Sequence, residues 1–312
     1  MRRLRALVEY LPLLLLGRLL SFVPRRLALA VGRAAGLAAW GVDGRHRRRA
    51  LENLDKAFGP AMSVAGRRKL TRRVFSHFGT VAVDCLLMPC RRPADLDRLV
   101  VYDGVEHIRN AFLKGKGVLV FSGHFGNWEL VALLQGWLGY PMAMVTRPLD
   151  NPYLERLLRI GRTRSGNEVI PKRNAARPIL RALRHGWCVA IVIDQDTRGT
   201  DQVFVDFFGR PAGTTPILAR LALRTGAPII PVFGVPLSDG RYRITYLPEV
   251  SVQRSDDRDA DVVRLTQACT RIIEEQIRRH PDIWLWMHRR WKSRPARREQ
   301  AVAPMLMDSE EG

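Results

Sequence analysis

The first 90 residues of the chain show helical periodicity and no strand pattern. Two apolar blocks, Tyr10–Gly17 and Leu27–Val42, lie between arginines. Beyond them, apolar residues recur near helical spacing on both sides of Gly59-Pro60, namely Leu51, Leu54 and Phe58 and then Val74, Phe75, Phe78 and Val81. This spacing predicts four helices before residue 90.

After Pro93 the pattern changes to apolar runs that alternate with helical stretches. Short runs typical of buried strands cover 117–121, 142–146, 189–193 and 229–233. Pro231 favours an edge position for the last of them, and the alternation at 241–247 predicts a second edge strand with one wet face. Helix start signals stand at Asn151-Pro152 and Thr215-Pro216, and 262–279 is a long amphipathic helix. We therefore predict one α/β domain over residues 43–295, with 43–92 as a helical lead-in.

Charge and composition narrow the class of partner. The chain has 51 Lys and Arg against 30 Asp and Glu, a net charge of +21, and 46% hydrophobic residues. That balance excludes a disordered protein and favours polyanionic partners, which are nucleic acid, anionic lipid or a phosphorylated substrate. The four cysteines have no metal-ligand spacing and are predicted to be reduced thiols, and we expect no metal and no cofactor.

The amino terminus is predicted to be a membrane anchor. Residues 1–50 carry eleven arginines, two acids and no lysine, yet neither apolar block reaches the roughly 20 residues of a clean span. Residues 21–24 offer no small-residue cleavage site, which disfavours a signal peptide. We expect residues 1–42 to lie in, or tilt through, an anionic membrane surface, with a buried helix as the alternative. Residues 296–312 are predicted to be disordered.

Candidate catalytic residues lie in the segment 122–129, Ser-Gly-His-Phe-Gly-Asn-Trp-Glu. His124 follows the predicted strand 117–121, where open α/β sheets place functional loops, and flanking glycines permit a tight turn. Asn127 can cap a helix that leaves Glu129 in its first turn. From there the carboxylate can reach back to one imidazole nitrogen, so that the other nitrogen takes a proton from a hydroxyl.

Further motifs give this site a specific resemblance. The chain resembles the lipid A late acyltransferase family, through residues 123–129, 146–153 (Thr-Arg-Pro-Leu-Asp-Asn-Pro-Tyr), 194–196 (Asp-Gln-Asp), 205–214 and 281–291. The family shares its His-x-x-x-x-Asp/Glu motif with glycerolipid acyltransferases, and His124 and Glu129 occupy that motif here. The resemblance implies a mixed sheet flanked by helices, of the glycerolipid-acyltransferase kind, with an N-terminal helical anchor region.

The activity that this resemblance implies is transfer of a fatty acyl chain from acyl carrier protein to a hydroxyl of an anionic lipid A precursor, at the cytoplasmic face of the bacterial inner membrane. Candidate substrate-binding residues are Asn127, Arg147, Asp194 and Asp196. Arg147 ends a predicted strand and suits a phosphate or a developing oxyanion. Asp194 and Asp196 have a second interpretation, in which one pairs with Arg147 or holds Arg198.

Other assignments stay open at this point. Phe207 and Phe208 suit an acyl-chain wall or packed core, and the tryptophans of 284–291 suit a headgroup interface or core. A phosphatidylinositol mannoside or other lysolipid acyltransferase that uses acyl-CoA is the alternative enzyme. The non-enzymatic alternative is a basic nucleic-acid or membrane-binding protein, although no recognisable nucleic-acid module is present and we expect no nucleic-acid partner. Salt-sensitive DNA binding without acyl transfer would favour it.

Overall fold

The computed structural model describes residues 2–90, 95, 98–197 and 202–295. Its first part consists of four helices, as the sequence predicts: α1 (Arg2–Ser21), α2 (Arg25–Val42), α3 (Gly44–Phe58) and α4 (Val64–Leu87). Asp43 caps α3 by accepting from the amide of His46, and Ser63 caps α4 by accepting from that of Gly66.

The remaining elements alternate between strands and helices. In chain order they are β1 (Val100–Asp103), α5 (Val105–Leu113), β2 (Val118–Ser122), α6 (Trp128–Trp137), β3 (Met142–Thr146), α7 (Pro152–Thr163), β4 (Glu168–Pro171), α8 (Ala176–Arg184), β5 (Cys188–Val192), β6 (Val203–Asp206), β7 (Pro211–Thr214), α9 (Ile217–Thr225), β8 (Ile229–Pro236), β9 (Tyr242–Tyr246) and α10 (Arg258–Arg279). Asn151 caps α7 as expected. The cap predicted at Thr215 is wrong, because Pro216 precedes α9 and no side chain caps it.

Seven of the described strands form one mixed sheet in the order β1-β9-β8-β2-β5-β3-β4. Neighbours are parallel except β8 and β9, while β6 and β7 form a separate antiparallel pair. The α/β class with a helix-flanked mixed sheet is therefore confirmed. Side chains of β2 alternate between the two faces, so Val118 and Val120 join one core, whereas Leu119 and Phe121 join the other. Helices α5 and α6 cover the first face, and α8, α9 and α10 cover the second.

Both predictions of edge strands are wrong. Strand β8 lies between β9 and β2, and Pro231 is its last residue in register with β2, opposite Phe121. A proline at the end of a pairing segment removes no internal bond of the ladder, and its carbonyl still accepts from the Leu247 amide at 3.0 Å. Strand β9 does have one wet face, but β1 pairs beyond it. The alternation of apolar and polar residues indicates which face of a strand is exposed to solvent. It does not indicate which strands pair with it.

The amino-terminal helices α2 and α4 pack against each other through very close backbone contact. A Cβ added at Gly36 would lie 2.1 Å from the carbonyl oxygen of Phe75, and one at Gly79 would lie 2.0 Å from that of Gly32. Glycines in both helices thus let α2 and α4 approach each other. At the start of α2, Arg25 makes two hydrogen bonds to the buried Asp84 carboxylate, at 2.9 and 3.1 Å.

Helix α1 carries a stripe of exposed apolar side chains. The stripe consists of Leu4, Val8, Leu11, Leu15 and Leu19, each more than half exposed, and Phe22 continues it just beyond the helix. Their spacing of three and four residues places them on one face of the helix. Among the described residues, no helix has the length and apolar character needed to cross a membrane. All four cysteines are free, in agreement with the prediction of reduced thiols.

Candidate active site

The sheet register brings His124 and Asp194 side by side. Strands β2 and β5 are parallel neighbours, with Ser122 opposite Val192. His124 and Asp194 each lie two residues beyond that pair. The two residues therefore follow their strands at the same edge of the sheet and at the same distance from it along the chain. This edge is where an open α/β sheet presents its functional loops.

Asp194 is fully buried and holds the histidine through two bonds. Its Oδ1 lies 2.7 Å from His124 Nδ1, and its Oδ2 accepts the His124 backbone amide at 2.6 Å. The same Oδ2 accepts the indole N–H of Trp284 at 2.7 Å. A carboxylate with three donors around it has a fixed orientation, so the imidazole that it holds is fixed as well.

The other imidazole nitrogen, Nε2, has Gln195 beside it. His124 Nε2 accepts from the Gln195 side-chain amide at 3.2 Å, and 21% of the His124 side chain is exposed. The ring of Trp128 contacts the imidazole edge to face, with 5.1 Å between centroids. With Nδ1 donating to Asp194, Nε2 carries the lone pair that can accept a proton from a substrate.

Electrostatics couple the two groups. Burial by itself lowers the pKa of His124, but the charge and hydrogen bond of Asp194, together with the charge of Glu129, raise it above its usual value. Burial by itself raises the pKa of Asp194, yet the charge and hydrogen bonds of His124 hold it well below its usual range. Asp194 therefore stays ionised beside an imidazole whose protonated form is stabilised.

Two glycines of the turn make this close arrangement possible. A Cβ at Gly123 would lie 2.9 Å from Asp194 Oδ2, in the space that the carboxylate needs. Gly126 has φ +58 and approaches the backbone of β8, where a Cβ would lie 1.7 Å from the carbonyl oxygen of Gly234. Any larger residue at these two positions would displace the turn.

Glu129 is not hydrogen-bonded to His124, contrary to the sequence-based expectation. Its two oxygens accept from Nε and Nη2 of Arg162 on α7, at 2.7 and 2.6 Å, in a buried bidentate pair. The physical reason is the helix start: α6 begins at Trp128, and each residue turns the side chain by about 100° around the axis. Trp128 then faces the imidazole, and Glu129 faces α7.

Asn127 has a structural position rather than an exposed one. Its side chain is fully buried and caps α6 by accepting from the Leu130 amide at 3.1 Å. Its Nδ2 lies 3.4 Å from both Asp84 Oδ2 and the Tyr242 hydroxyl, which donates to Asp84 at 2.7 Å. The helix cap is confirmed, and the side chain that was expected to contact a substrate has no exposed surface in this structure.

The other two predicted binding residues have different surroundings. Asp196 accepts from the amide and hydroxyl of Ser293, at 3.1 and 3.0 Å, and so holds the loop after β5. Arg147 follows β3, which is separated from β2 by β5. Its side chain is 80% exposed and touches only the exposed Asp150, at 3.5 Å, among the residues described. Neither aspartate binds Arg147, and Arg198 lies outside the described residues.

Residues 281–293, here termed the strap, close the site from the carboxyl-terminal side. The Ile283 carbonyl accepts the Gly126 amide at 2.8 Å, and the Leu285 amide donates to the His124 carbonyl at 3.0 Å. Trp284 and Trp286 are fully buried in the core, as are Phe207 and Phe208 apart from a few per cent. Core packing is thus the correct interpretation for these aromatics.

Sequence reasoning missed three contributors to the site. Gln195 and Trp284 lie inside segments on which the family resemblance rests, so the sequence indicated that these segments matter. It did not indicate which residues they contact. Arg162 gave no signal, because one arginine on a helix that also carries Arg156 and Arg159 is indistinguishable by pattern. The described residues contain no cluster of His, Cys, Asp or Glu that could hold a metal ion.

These features place a carboxylate-oriented imidazole at the edge of an α/β sheet, in an arrangement that can accept a proton at Nε2. Residues 1–293 match the model of the bacterial lipid A biosynthesis acyltransferase family, and the chain belongs to that family. It is 30% identical over 248 residues to a lipid A biosynthesis lauroyltransferase of Escherichia coli, with 78% of each chain covered. It is also 30% identical to a lipid A biosynthesis palmitoleoyltransferase of that species, over 79% of this chain and 78% of the relative. A lipid A biosynthesis acyltransferase of Haemophilus influenzae is 27% identical, over 86% of this chain and 83% of the relative.

Proposed function

We propose that this acyltransferase moves a fatty acyl chain from the thioester of acyl carrier protein to a hydroxyl of a lipid A precursor. The observation that carries the proposal is the His124–Asp194 pair, in which Asp194 holds Nδ1 of a histidine side chain that is 21% exposed. Family membership and the names of the relatives support the lipid A precursor as acceptor.

His124 acts as the general base of the proposed reaction. Its Nε2 takes the proton from the acceptor hydroxyl while the oxygen attacks the thioester carbonyl carbon. The tetrahedral intermediate collapses by breaking the carbon–sulfur bond, and the imidazolium returns its proton to the departing thiolate. Asp194 fixes the tautomer and stabilises the imidazolium in both steps.

Glu129 contributes charge to this mechanism without touching the imidazole. Its carboxylate raises the pKa of His124 through space and is itself held by Arg162. We assign Arg147 to substrate binding, because its guanidinium is exposed and its contact with Asp150 joins two solvated groups. Asn127 and Asp196 position the turn and the loop that carry His124 and Asp194.

The test is transfer from labelled acyl carrier protein to purified lipid A precursor, compared with transfer from acyl-CoA. We expect product with the carrier-protein donor, and His124→Ala to reduce kcat by at least about a hundredfold. His185→Ala is the matched control, since His185 lies on the exposed end of α8. Transfer only from acyl-CoA, and only to a phosphatidylinositol mannoside, would replace the proposal with the alternative enzyme.

The protein works at the cytoplasmic face of the inner membrane in this proposal, held there by α1. The stripe of five exposed apolar side chains on α1, continued by Phe22, supports it, because burying such a face in lipid removes it from water. Arg3 and Arg5 on the same helix, with the net charge of +21, add attraction to anionic headgroups.

Sedimentation with anionic phospholipid vesicles tests this placement. Leu11→Ser combined with Leu15→Ser should lower vesicle partitioning at least about tenfold, because two apolar side chains no longer enter the lipid. Leu113→Ser is the matched control, since Leu113 is 80% exposed but lies on α5. Equal partitioning of all three proteins would show that α1 does not hold the protein on the membrane.

A further inference from the structure

A strongly basic cleft lies between α3 and the end of the strap, apart from the His124 turn. The cleft encloses a cavity of about 510 Å³. Six basic side chains line it against one acid, Glu52: Arg45, Arg48, Arg49, Lys56, Arg289 and Lys292. Residues 45, 48, 49, 52 and 56 recur at helical spacing, so one face of α3 supplies most of them, and the strap supplies the rest.

Most of the positive charge of this cleft has no ion-pair partner among the residues that the structure describes. No ion pair to Arg45, Arg48, Arg289 or Lys292 exists within the described part of the chain. Burial, and then repulsion from Arg289 and Arg45, lower the pKa of Arg49, although the charges of Glu52 and Asp43 oppose that shift. An anion in the cleft would relieve that repulsion.

The cleft is rigid where it meets the core. Asn53, on the buried side of α3, donates to the carbonyls of Trp286 and His288, at 2.7 and 2.6 Å. Arg49 donates to the Met287 carbonyl at 3.3 Å. Trp291 lines the cavity, and its indole N–H is a buried donor with no acceptor in the residues described. These hydrogen bonds join α3 to the strap, which are the two elements that carry the guanidinium groups.

We propose that this cleft binds a sugar phosphate of the acceptor glycolipid, and so positions the acceptor through a site separate from the catalytic turn. The inference rests on the proposed function for the identity of the acceptor. Four of the six cations are arginines, whose planar forks bind phosphate oxygens in pairs. A concave site with converging arginines suits a compact anion, whereas an acidic carrier protein needs an open patch of about 800 Å².

The strap connects the two sites. Leu285 is bonded to the His124 backbone and Trp284 to Asp194, while Arg289 and Lys292 reach the cleft a few residues later. A phosphate held by Arg289 therefore lies against the same segment that orients the reacting histidine. In this arrangement the cleft governs acceptor affinity, and the turn governs the chemical step.

Binding of a small probe tests the inference without catalysis. Full-length protein would be titrated with glucosamine 1-phosphate, with inorganic phosphate and with glucosamine, followed by NMR. The variant R45A/R48A/R289A removes exposed cleft cations, and R177A/R181A/R184A removes the same charge from exposed positions of α8. We expect the sugar phosphate to bind the wild type and the control, and the cleft variant to bind it at least about tenfold more weakly. Equal binding to both variants, or glucosamine binding as tightly as its phosphate, would overturn the proposal. Inorganic phosphate that binds as tightly as the sugar phosphate would overturn the assignment to a sugar phosphate.

Kinetics separate this inference from the proposed function. In the cleft variant we expect the KM for the phosphorylated acceptor to rise at least about tenfold, with kcat and the KM for the acyl donor within about twofold. Phosphatase-treated acceptor should give wild type and variant the same KM. A rise in donor KM alone would mean that the carrier protein docks in the cleft, which overturns the inference. Absence of acyl transfer in the wild type would refute the proposed function. The binding titration would then test the proposal about the cleft by itself.

Discussion

Asp194→Asn tests which carboxylate orients the catalytic histidine. In the wild type, Asp194 Oδ2 accepts two N–H donors, from the His124 backbone and Trp284, while Oδ1 faces His124 Nδ1. An asparagine at this position must place its oxygen where the two donors point, because an NH₂ group there would meet two other donors. The NH₂ then faces Nδ1 and donates to it. This forces the hydrogen of the neutral imidazole onto Nε2, which can no longer act as a base.

The expected loss follows from this change of tautomer. A comparable aspartate-to-asparagine change in a Ser-His-Asp triad lowers kcat by about 10⁴ with the geometry intact. We expect a loss of about 10³–10⁴ here, which corresponds to roughly 4–5.5 kcal/mol of transition-state stabilisation at about 1.36 kcal/mol per tenfold. The acceptor KM should change little, because Asp194 is fully buried and its effect passes through His124.

The assay is steady-state transfer from acyl carrier protein, with folding checked by circular dichroism. Asp196→Asn is the matched control, since Asp196 lies on the same loop and holds Ser293 instead of the histidine. We expect the control to keep kcat within about tenfold of wild type. An Asp194→Asn enzyme that also stays within tenfold would refute the reasoning and return the orienting role to another group.

Three further outcomes follow from the structure. Glu129→Ala should destabilise the protein by about 3–5 kcal/mol in urea unfolding, because it leaves Arg162 buried without its partner; adding Arg162→Leu should recover stability but not full activity. The acid limb of kcat/KM should have its midpoint above the usual histidine value of 6.5, because the pKa of His124 is raised and only its neutral form is a base; a midpoint below 6.5 contradicts this. Gly79→Ala should cost about 1–3 kcal/mol or more in unfolding free energy, since its methyl group meets the Gly32 carbonyl at 2.0 Å; unchanged stability would show that α2 and α4 can separate freely.

The sequence predicted the parts of the fold that rest on local physics. Helical spacing and turn residues revealed the four amino-terminal helices, and apolar runs revealed the central strands β2, β3, β5 and β8. Strands β1, β4, β6 and β7 have four residues each. Four residues are too few to distinguish the alternation of apolar and polar residues in a strand from a chance arrangement. The order of strands in the sheet depends on pairing between distant segments, and no local pattern encodes it.

The place of His124 at a strand end was predicted, but its hydrogen-bond partner was not. His124 was found because a strand end, two glycines and a histidine are adjacent in the chain. Glu129 seemed its partner because it is only five residues away, whereas Asp194 is 70 residues away and arrives through the register of β2 with β5. Closeness in sequence points to Glu129, whereas the pairing of strands in the sheet brings Asp194 to the histidine.

Because the strap lies late in the sequence, it affects when the contacts of the site are completed during synthesis. A ribosome delivers the chain from the amino terminus, and domains form as their last essential segment emerges. Trp284, which fixes Asp194, emerges 160 residues after His124, and Ser293 after that. A nascent chain that already contains His124 and Asp194 thus lacks the indole that donates to the Asp194 carboxylate. The hydrogen bonds around Asp194 are therefore complete only after residue 284 has been synthesised.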